Sequence, residues 1–480
     1  MTQAPRYDHY VLVSLDTLRS DAIGANPYKL WPHTHQGQKA PRTALLDRMV
    51  AEGAFFPNTI SAAPYTSAAH ATFFTGRWPY RHGVYEFFNR RLRGETVFTW
   101  ARRQGMHTYF KSDFPIILGD HLGFLDDVDD FVVEDDAEYF DKLDTSVPSL
   151  SFLHFGSVHV PYGYHNLHYG GDEYRSRVAE LARDLEPGGP ALGDKLVETY
   201  RSGEDLELLF TYKRIVQHHY DRGNYDTLFA LYLEGVETFM RMRFEPFMER
   251  LMDRFAGQRV LVVLFGDHGE EHNTTSYGHF NTMDEGVTRV PVLFWGPDVT
   301  PGLYAERVRS VDVAPTLGAS IGGVQEELDG IPLLDTVHGG ARPEPRTAFV
   351  QAWVADTAQF VDFQQRLLAT GNKPGSLPHV CYAEAVYDGD LKLSRQNYVY
   401  SGDSVGRWSL KQCEPKITVE RFDADLLPHP VQSPGDHTDL LSTLDAYGAH
   451  IEEDPIAPAD DDPVPTEEIR AQLRNMGYDI

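Results

Sequence analysis

The sequence predicts an α/β fold, with a mostly parallel central sheet covered by helices on both faces. Three observations lead there. Tyr10–Leu15 and Arg259–Phe265 are near-continuous apolar, β-branched runs, the mark of strands buried on both faces. Each run stops abruptly in polar residues, Asp16-Thr17 after the first and Gly266-Asp267-His268-Gly269-Glu270 after the second. That is the edge at which open α/β sheets hold their ligands. Stretches with helical apolar spacing separate these runs and the further alternating strand Ser149–Phe155.

At 480 residues the chain is long enough for one large domain with an appendage, or for two domains, and 41% hydrophobic residues is an ordinary globular share. The balance of 43 basic against 71 acidic residues gives a formal charge of -28, which opposes binding to nucleic acid and to anionic membranes. An anionic small-molecule substrate therefore needs a local positive pocket. Tyr10–Leu15 is too short for a signal-peptide core or a membrane span, which points to a cytoplasmic protein. The two cysteines, Cys381 and Cys413, read as free thiols and not as a disulfide framework.

In chain order, Asp16 at the end of the first strand serves equally as a metal ligand or as a cap for the next turn. Residues 43–56 carry apolar side chains at Leu45, Leu46, Met49 and Val50 before Gly53, which predicts an amphipathic helix with a glycine cap. From Ser67 to Ala71 the residues are small apart from His70, so a helix can start directly behind Thr66 and aim its first amides and its dipole at whatever sits on that hydroxyl. His70, one turn on, either supports a substrate oxygen or holds the turn, and Ser67 reads as a cap. Thr96–Gln104 predicts a helix and Gly105–Lys111 a strand. Residues 170–224 form a polar excursion, and 225–255 predict one long helix, or two joined at Pro246, with an aromatic stripe for the core. Asp267 and His268 would point opposite ways on a strand, but in a turn flanked by Gly266 and Gly269 both can face one ion. Residues 452–466 are acidic and Pro-rich, a linker by composition.

The stretch from Ser61 to Val84, with Thr75-Gly76-Arg77, Pro79 and His82-Gly83, resembles the active-site signature of the sulfatase family in the alkaline phosphatase superfamily. The register puts Thr66 at the nucleophile, where sulfatases carry a Cys or Ser oxidised to formylglycine. Ala68, Ala69 and His70 stand where they read Pro-Ser-Arg. A Thr cannot become that aldehyde, so the chain looks more like the phosphodiesterase-type, unmodified branches. The resemblance implies an alkaline-phosphatase-like mixed sheet with a smaller C-terminal α+β subdomain. It divides the chain into a catalytic domain at 1–345, with a helical insertion at about 170–255, and a subdomain at 346–480 with a small antiparallel sheet and a closing helix at 467–478. It implies a metal site of Asp16, Thr66, Asp267 and His268, with Thr17 where a second Asp is usual. Substrate contacts would come from Arg77, Lys111, His159 and His279. Of these, Lys111, His159 and His279 would join Thr66 and His70 as catalytic residues, and Lys111 has a solvated surface role as its alternative. His165 and His168 would be ligands of a second metal or, more simply, polar loop histidines.

Two carboxylates and an imidazole suit Zn or Mn at least as well as Ca or Mg, with one ion expected and room for a second. A phosphorylated or sulfated Thr must be cleared by water, and metal-assisted displacement on phosphorus is the commoner solution. The expected function is thus metal-dependent hydrolysis of a phosphoric or sulfuric ester, with a phosphodiester or phosphonate ester favoured. The alternatives are sulfate ester hydrolysis, group transfer or a mutase reaction, and non-catalytic metal binding. A homo-oligomer is compatible with the sequence.

Overall fold

The structure, a computed structural model, describes residues 6–85, 91–115, 117–160, 162–163, 167–185, 204–274, 277–279, 282–355, 379–402 and 408–453. Its strands begin β1 (His9–Leu15), β2 (Ala54–Ile60), β3 (His107–Ser112), β4 (Asp130–Val133), β5 (Ser149–Phe155) and β6 (Val260–Phe265). They continue with the short ribbon β7 (Glu271–His272) and β8 (Tyr277–Gly278), and then β9 (Arg289–Trp295). The main sheet runs Gly302–Leu303, β2, β9, β6, β1, β5, β3, β4, with Val308–Arg309 also on β2. Only β9 is antiparallel to its neighbours, β2 and β6. The mostly parallel sheet expected from the two apolar runs is present, mixed as the resemblance implies, with those runs as adjacent central strands.

Residues of β1 alternate between two cores. Val11, Val13 and Leu15 pack with the helices of the 170–255 region, and Tyr10 and Leu12 with Phe73 and Phe74 of the helix Thr66–Thr75. The region anticipated as one helix or two is helix Tyr225–Phe239, a π turn Met240–Phe244 and helix Glu245–Arg254. Pro246 falls in the first turn of the last helix, directly behind the π turn. Helix Ala44–Glu52 matches expectation, but its glycine cap does not: Gly53 has an extended φ of -120°. A Cβ there would lie 2.4 Å from the carbonyl of Phe294, so this glycine admits β9 and does not turn left-handed.

Beyond the main sheet, Ala348–Ala355, His379–Asp388, Leu391–Gly402, Trp408–Phe422 and Pro428–Pro430 form an antiparallel sheet in that order. Helix Thr438–Glu453, which the sequence did not suggest, packs on it through Leu440 and Leu444. The sheet reaches back to the C-terminal end of β2, where the Gln351 amide donates to the carbonyl of Ala62 at 3.0 Å. The imidazoles of His165 and His168 and the closing helix expected at 467–478 lie outside the described residues. Among the described residues no helix is long and apolar enough to cross a membrane.

Candidate active site

The sheet's C-terminal edge collects donors from widely separated parts of the chain. Asp16 sits one residue past β1, and its amide continues the ladder to the Phe155 carbonyl of β5 at 3.1 Å. Asp267 and His268 follow β6 after Gly266, where a Cβ would meet the carbonyl of Leu18 at 2.5 Å, so a glycine is required for the strand exit to pass beneath the β1 loop. Thr66 is the first residue of helix Thr66–Thr75, and extended Tyr65 precedes it.

One carboxylate oxygen each from Asp16 and Asp267 and a ring nitrogen of His268, all fully buried, lie within 4.8 Å of one another. The Thr66 hydroxyl stands 3.3 Å from Asp16 Oδ2 and 3.3 Å from His268 Nε2. His268 Nδ1 donates to the Gly269 carbonyl at 2.9 Å, which turns the Nε2 lone pair inward. Among the described residues, Asp16 Oδ1 and Asp267 Oδ2 are buried with no hydrogen-bond partner. A buried carboxylate oxygen without a donor is costly, and two in one pocket with an inward imidazole fit a divalent cation. Burial pushes the Asp16 carboxyl up against the pull of His268. His268 is raised because Asp267 and Asp16 outweigh its own burial.

Behind this cluster, His70 donates from Nδ1 to the Thr66 carbonyl at 2.8 Å and accepts at Nε2 from Ser14 Oγ at 2.8 Å. It is fully buried, and burial lowers it to about 3, so it is neutral and holds the turn from beneath. Ser67 is not a cap; its Oγ donates to the Ile117 carbonyl at 2.7 Å. Thr17 adopts a left-handed φ of 62°, strained for a β-branched residue. Its amide reaches Asp267 Oδ1 at 3.2 Å, and its carbonyl accepts from the Tyr232 hydroxyl at 2.9 Å.

Two half-buried histidines form the rim. The His279 ring stacks on His268 at 4.3 Å between centroids, and the His159 ring lies 5.3 Å from His279. Burial lowers both, so both are neutral near pH 7. Of the predicted residues, the structure thus brings together Asp16, Thr66, Asp267 and His268, with His70 behind them and His159 and His279 at the rim.

Arg77 and Lys111 lie elsewhere. Arg77 follows the far end of the helix that Thr66 opens, about 15 Å away at 1.5 Å per residue, and pairs with Glu326. It does not reach an ester on Thr66. Lys111 is fully buried, 3.1 Å from Asp113 and 2.9 Å from Asp136, so it is neither solvated nor open to an ester.

Two neighbours were not anticipated as site residues. His154 Nε2 lies 3.1 Å from Asp16 Oδ2 and shares that oxygen with Thr66. A histidine inside an otherwise apolar strand end was the available signal. Glu270, whose carboxyl burial raises, lies 3.3 Å from His279 Nδ1. It belongs to the recognised Asp-His-Gly-Glu turn, yet nothing local says which way it faces.

A family model described as Sulfatase matches residues 8–323. A choline-sulfatase of Rhizobium meliloti (strain 1021) is 34% identical over 89 residues, a match that spans 18% of this chain and 17% of that relative. Among solved structures, a 2-O GAG sulfatase is similar at a TM-score of 0.57 and 15% identity, over 98% of this chain and 96% of that one. A phosphonate monoester hydrolase from Silicibacter pomeroyi gives a TM-score of 0.56 at 13% identity, over 94% and 96%. At such identities the two structural likenesses concern the fold.

Proposed function

The chain belongs to the sulfatase family, and we propose that it is a metal-dependent hydrolase of a phosphodiester or phosphonate ester, with Thr66 as the nucleophile. The observation that carries this reading is an unmodifiable hydroxyl, Thr66 Oγ1, at a helix N-terminus and 3.3 Å from both Asp16 and His268. Asp16, Asp267, His268 and Thr66 would hold the ion, Zn or Mn ahead of Ca or Mg, which supplies positive charge that acidifies the hydroxyl and offsets charge on the ester oxygens.

The chain's own groups carry the rest. The first amides of helix Thr66–Thr75 face the non-bridging oxygens. The Thr66 proton is directed to Asp16 Oδ2, and the oxygen attacks phosphorus as the bond to the leaving oxygen breaks. A bound anion raises the pKa of the rim imidazoles His159 and His279, so that one of them can pass a proton to that leaving oxygen. Once neutral again, it takes a proton from the water that displaces phosphorus from Thr66, and Asp16 returns its proton to the departing Thr66 oxygen.

Metal analysis of the purified protein, combined with turnover of aryl phosphate monoester, diester, phosphonate ester and sulfate substrates, tests the proposal. The phosphodiester or phosphonate ester should be preferred, with about one ion per chain. A sulfate monoester turned over faster than every phosphorus ester overturns it, and transfer to an added alcohol in place of water would make the protein a transferase.

A further inference from the structure

We propose that Arg243, on the helical insertion, is a positioning residue that fixes the segment 156–159 and through it the rim imidazole of His159. This rests on the reading of His159 as a substrate-contacting residue.

Arg243 lies in the π turn Met240–Phe244, a geometry that recurs at functional positions and here swings an arginine into the protein. Its guanidinium is buried and grips two carboxylates in bidentate fashion. Asp136 accepts from Nε at 3.0 Å and from Nη2 at 2.9 Å, and Asp113 accepts from Nη1 at 2.5 Å and from Nη2 at 2.9 Å. Lys111 completes a buried quartet of two cations and two anions. Such a fork is what an arginine supplies and a lysine cannot.

The quartet then reaches the loop behind β5. Asp113 Oδ2 accepts the Gly156 amide at 2.9 Å, and Arg243 Nη1 donates to Ser157 Oγ at 3.1 Å. Both cations also lie against the Phe155 ring, each 4.9 Å from its centroid. A Cβ on Gly156 would lie 2.5 Å from the Phe114 ring, so the segment has no room to shift on that side. Gly156 and His159 are closed into one turn by the His159 amide on the Gly156 carbonyl at 3.1 Å. Amide, hydroxyl and ring of three successive residues are thus fixed by one charge cluster, and the imidazole two residues on inherits its place from them. The insertion is in this way a structural part of the rim.

The test is Arg243→Lys, which keeps the charge and loses the fork. Hydrogen exchange at the amides of 156–159 should rise, while that of β1 and β6 stays unchanged. Metal content should be kept, and kcat should fall about 10- to 100-fold, the usual cost of an ångström of misplacement. In a His159→Ala background the same substitution should change kcat by less than about twofold, because it acts through the residue already removed. A merely structural role would not give that pattern. Ser157→Ala, which removes only the hydroxyl contact, should move exchange and kcat in the same direction and carries the test if Arg243→Lys does not fold. Unchanged exchange at 156–159, or an equal loss of kcat with and without His159, overturns the inference. A wild-type protein inactive on every ester counts instead against the function proposed above, and the exchange measurement still decides the role of Arg243.

Discussion

Replacing Thr66 separates a nucleophile from a residue that only lines the metal site. Thr66→Ala leaves Asp16, Asp267 and His268 in place and puts the best helix former at the first position of helix Thr66–Thr75, so fold and metal content should survive. The hydroxyl 3.3 Å from Asp16 and His268 is gone, and with it the covalent step. The expected loss in kcat is about 10³-fold or more, about 4 kcal/mol of barrier. Thr66→Ser keeps the hydroxyl but removes a buried methyl, at about 1 kcal/mol of stability. It also frees χ1 to sample three staggered wells, so if one is productive kcat falls only about threefold. Kinetics on a slow phosphoester, with mass mapping of the trapped phosphoryl peptide, reads both effects. The confounder is Ser67, but its hydroxyl is turned to the Ile117 carbonyl, so Ser67→Ala should be mild. More than a tenth of wild-type activity in Thr66→Ala, or a phosphoryl group on Ser67, would refute the reasoning.

Asp267→Ala should abolish metal binding while the chain stays folded, because it removes an oxygen with no hydrogen-bond partner among the described residues and one acceptor for the Thr17 amide, at about 1–3 kcal/mol; elemental analysis that finds full occupancy contradicts it. His159→Ala and His279→Ala should each lower kcat about 100-fold with metal retained, and loss of metal from either would make it a ligand and not a rim group. Glu285 is raised by burial but lowered more by Lys392 and Arg289, to about 2 from 4.5. Its depressed pKa contributes about 3 kcal/mol of stability that is complete above pH 4.5 and lost as pH falls toward 2. Urea midpoints measured across that window should fall less steeply for Glu285→Gln than for wild type, and equal slopes would rule the contribution out.

What the sequence made legible is local. The grouping of Asp16, Thr66, Asp267 and His268 into one site came from the resemblance to the sulfatase signature, whereas two apolar runs marked the central strands and their polar ends, and a patch of small residues marked the helix behind Thr66. Each needs only periodicity and the residues next in line. The rest depends on partners far away along the chain. Arg243 reaches Asp113 across 130 residues, and His154 reaches Asp16 across 138. No spacing rule connects them, which is why Lys111 read as a surface or substrate lysine until the carboxylates that bury it were visible. Arg77 shows the converse. It shares a motif with Thr66 in sequence, but a helix of ten residues converts that nearness into opposite ends of a rod.

The charge arrangement around the pocket follows from the same pairing. A chain with a formal charge of -28 must draw an anion to one spot, and the sheet edge does have buried cations around it, Arg19, Lys111 and Arg243. Each is already matched. Arg19 is forked onto Asp21 and bonded to Glu271, and the other two share Asp113 and Asp136. These groups fix loops; they do not add net charge. Among the described residues, the positive potential at Thr66 therefore comes from the helix N-terminus, from the rim imidazoles once an anion raises their pKa, and from the ion that the two partnerless carboxylate oxygens call for. One divalent ion against Asp16 and Asp267 cancels their two charges, a balance that one negative charge on an ester upsets less than two. That balance fits a singly charged ester, whether a phosphodiester, a phosphonate ester or a sulfate ester, better than a doubly charged phosphate monoester.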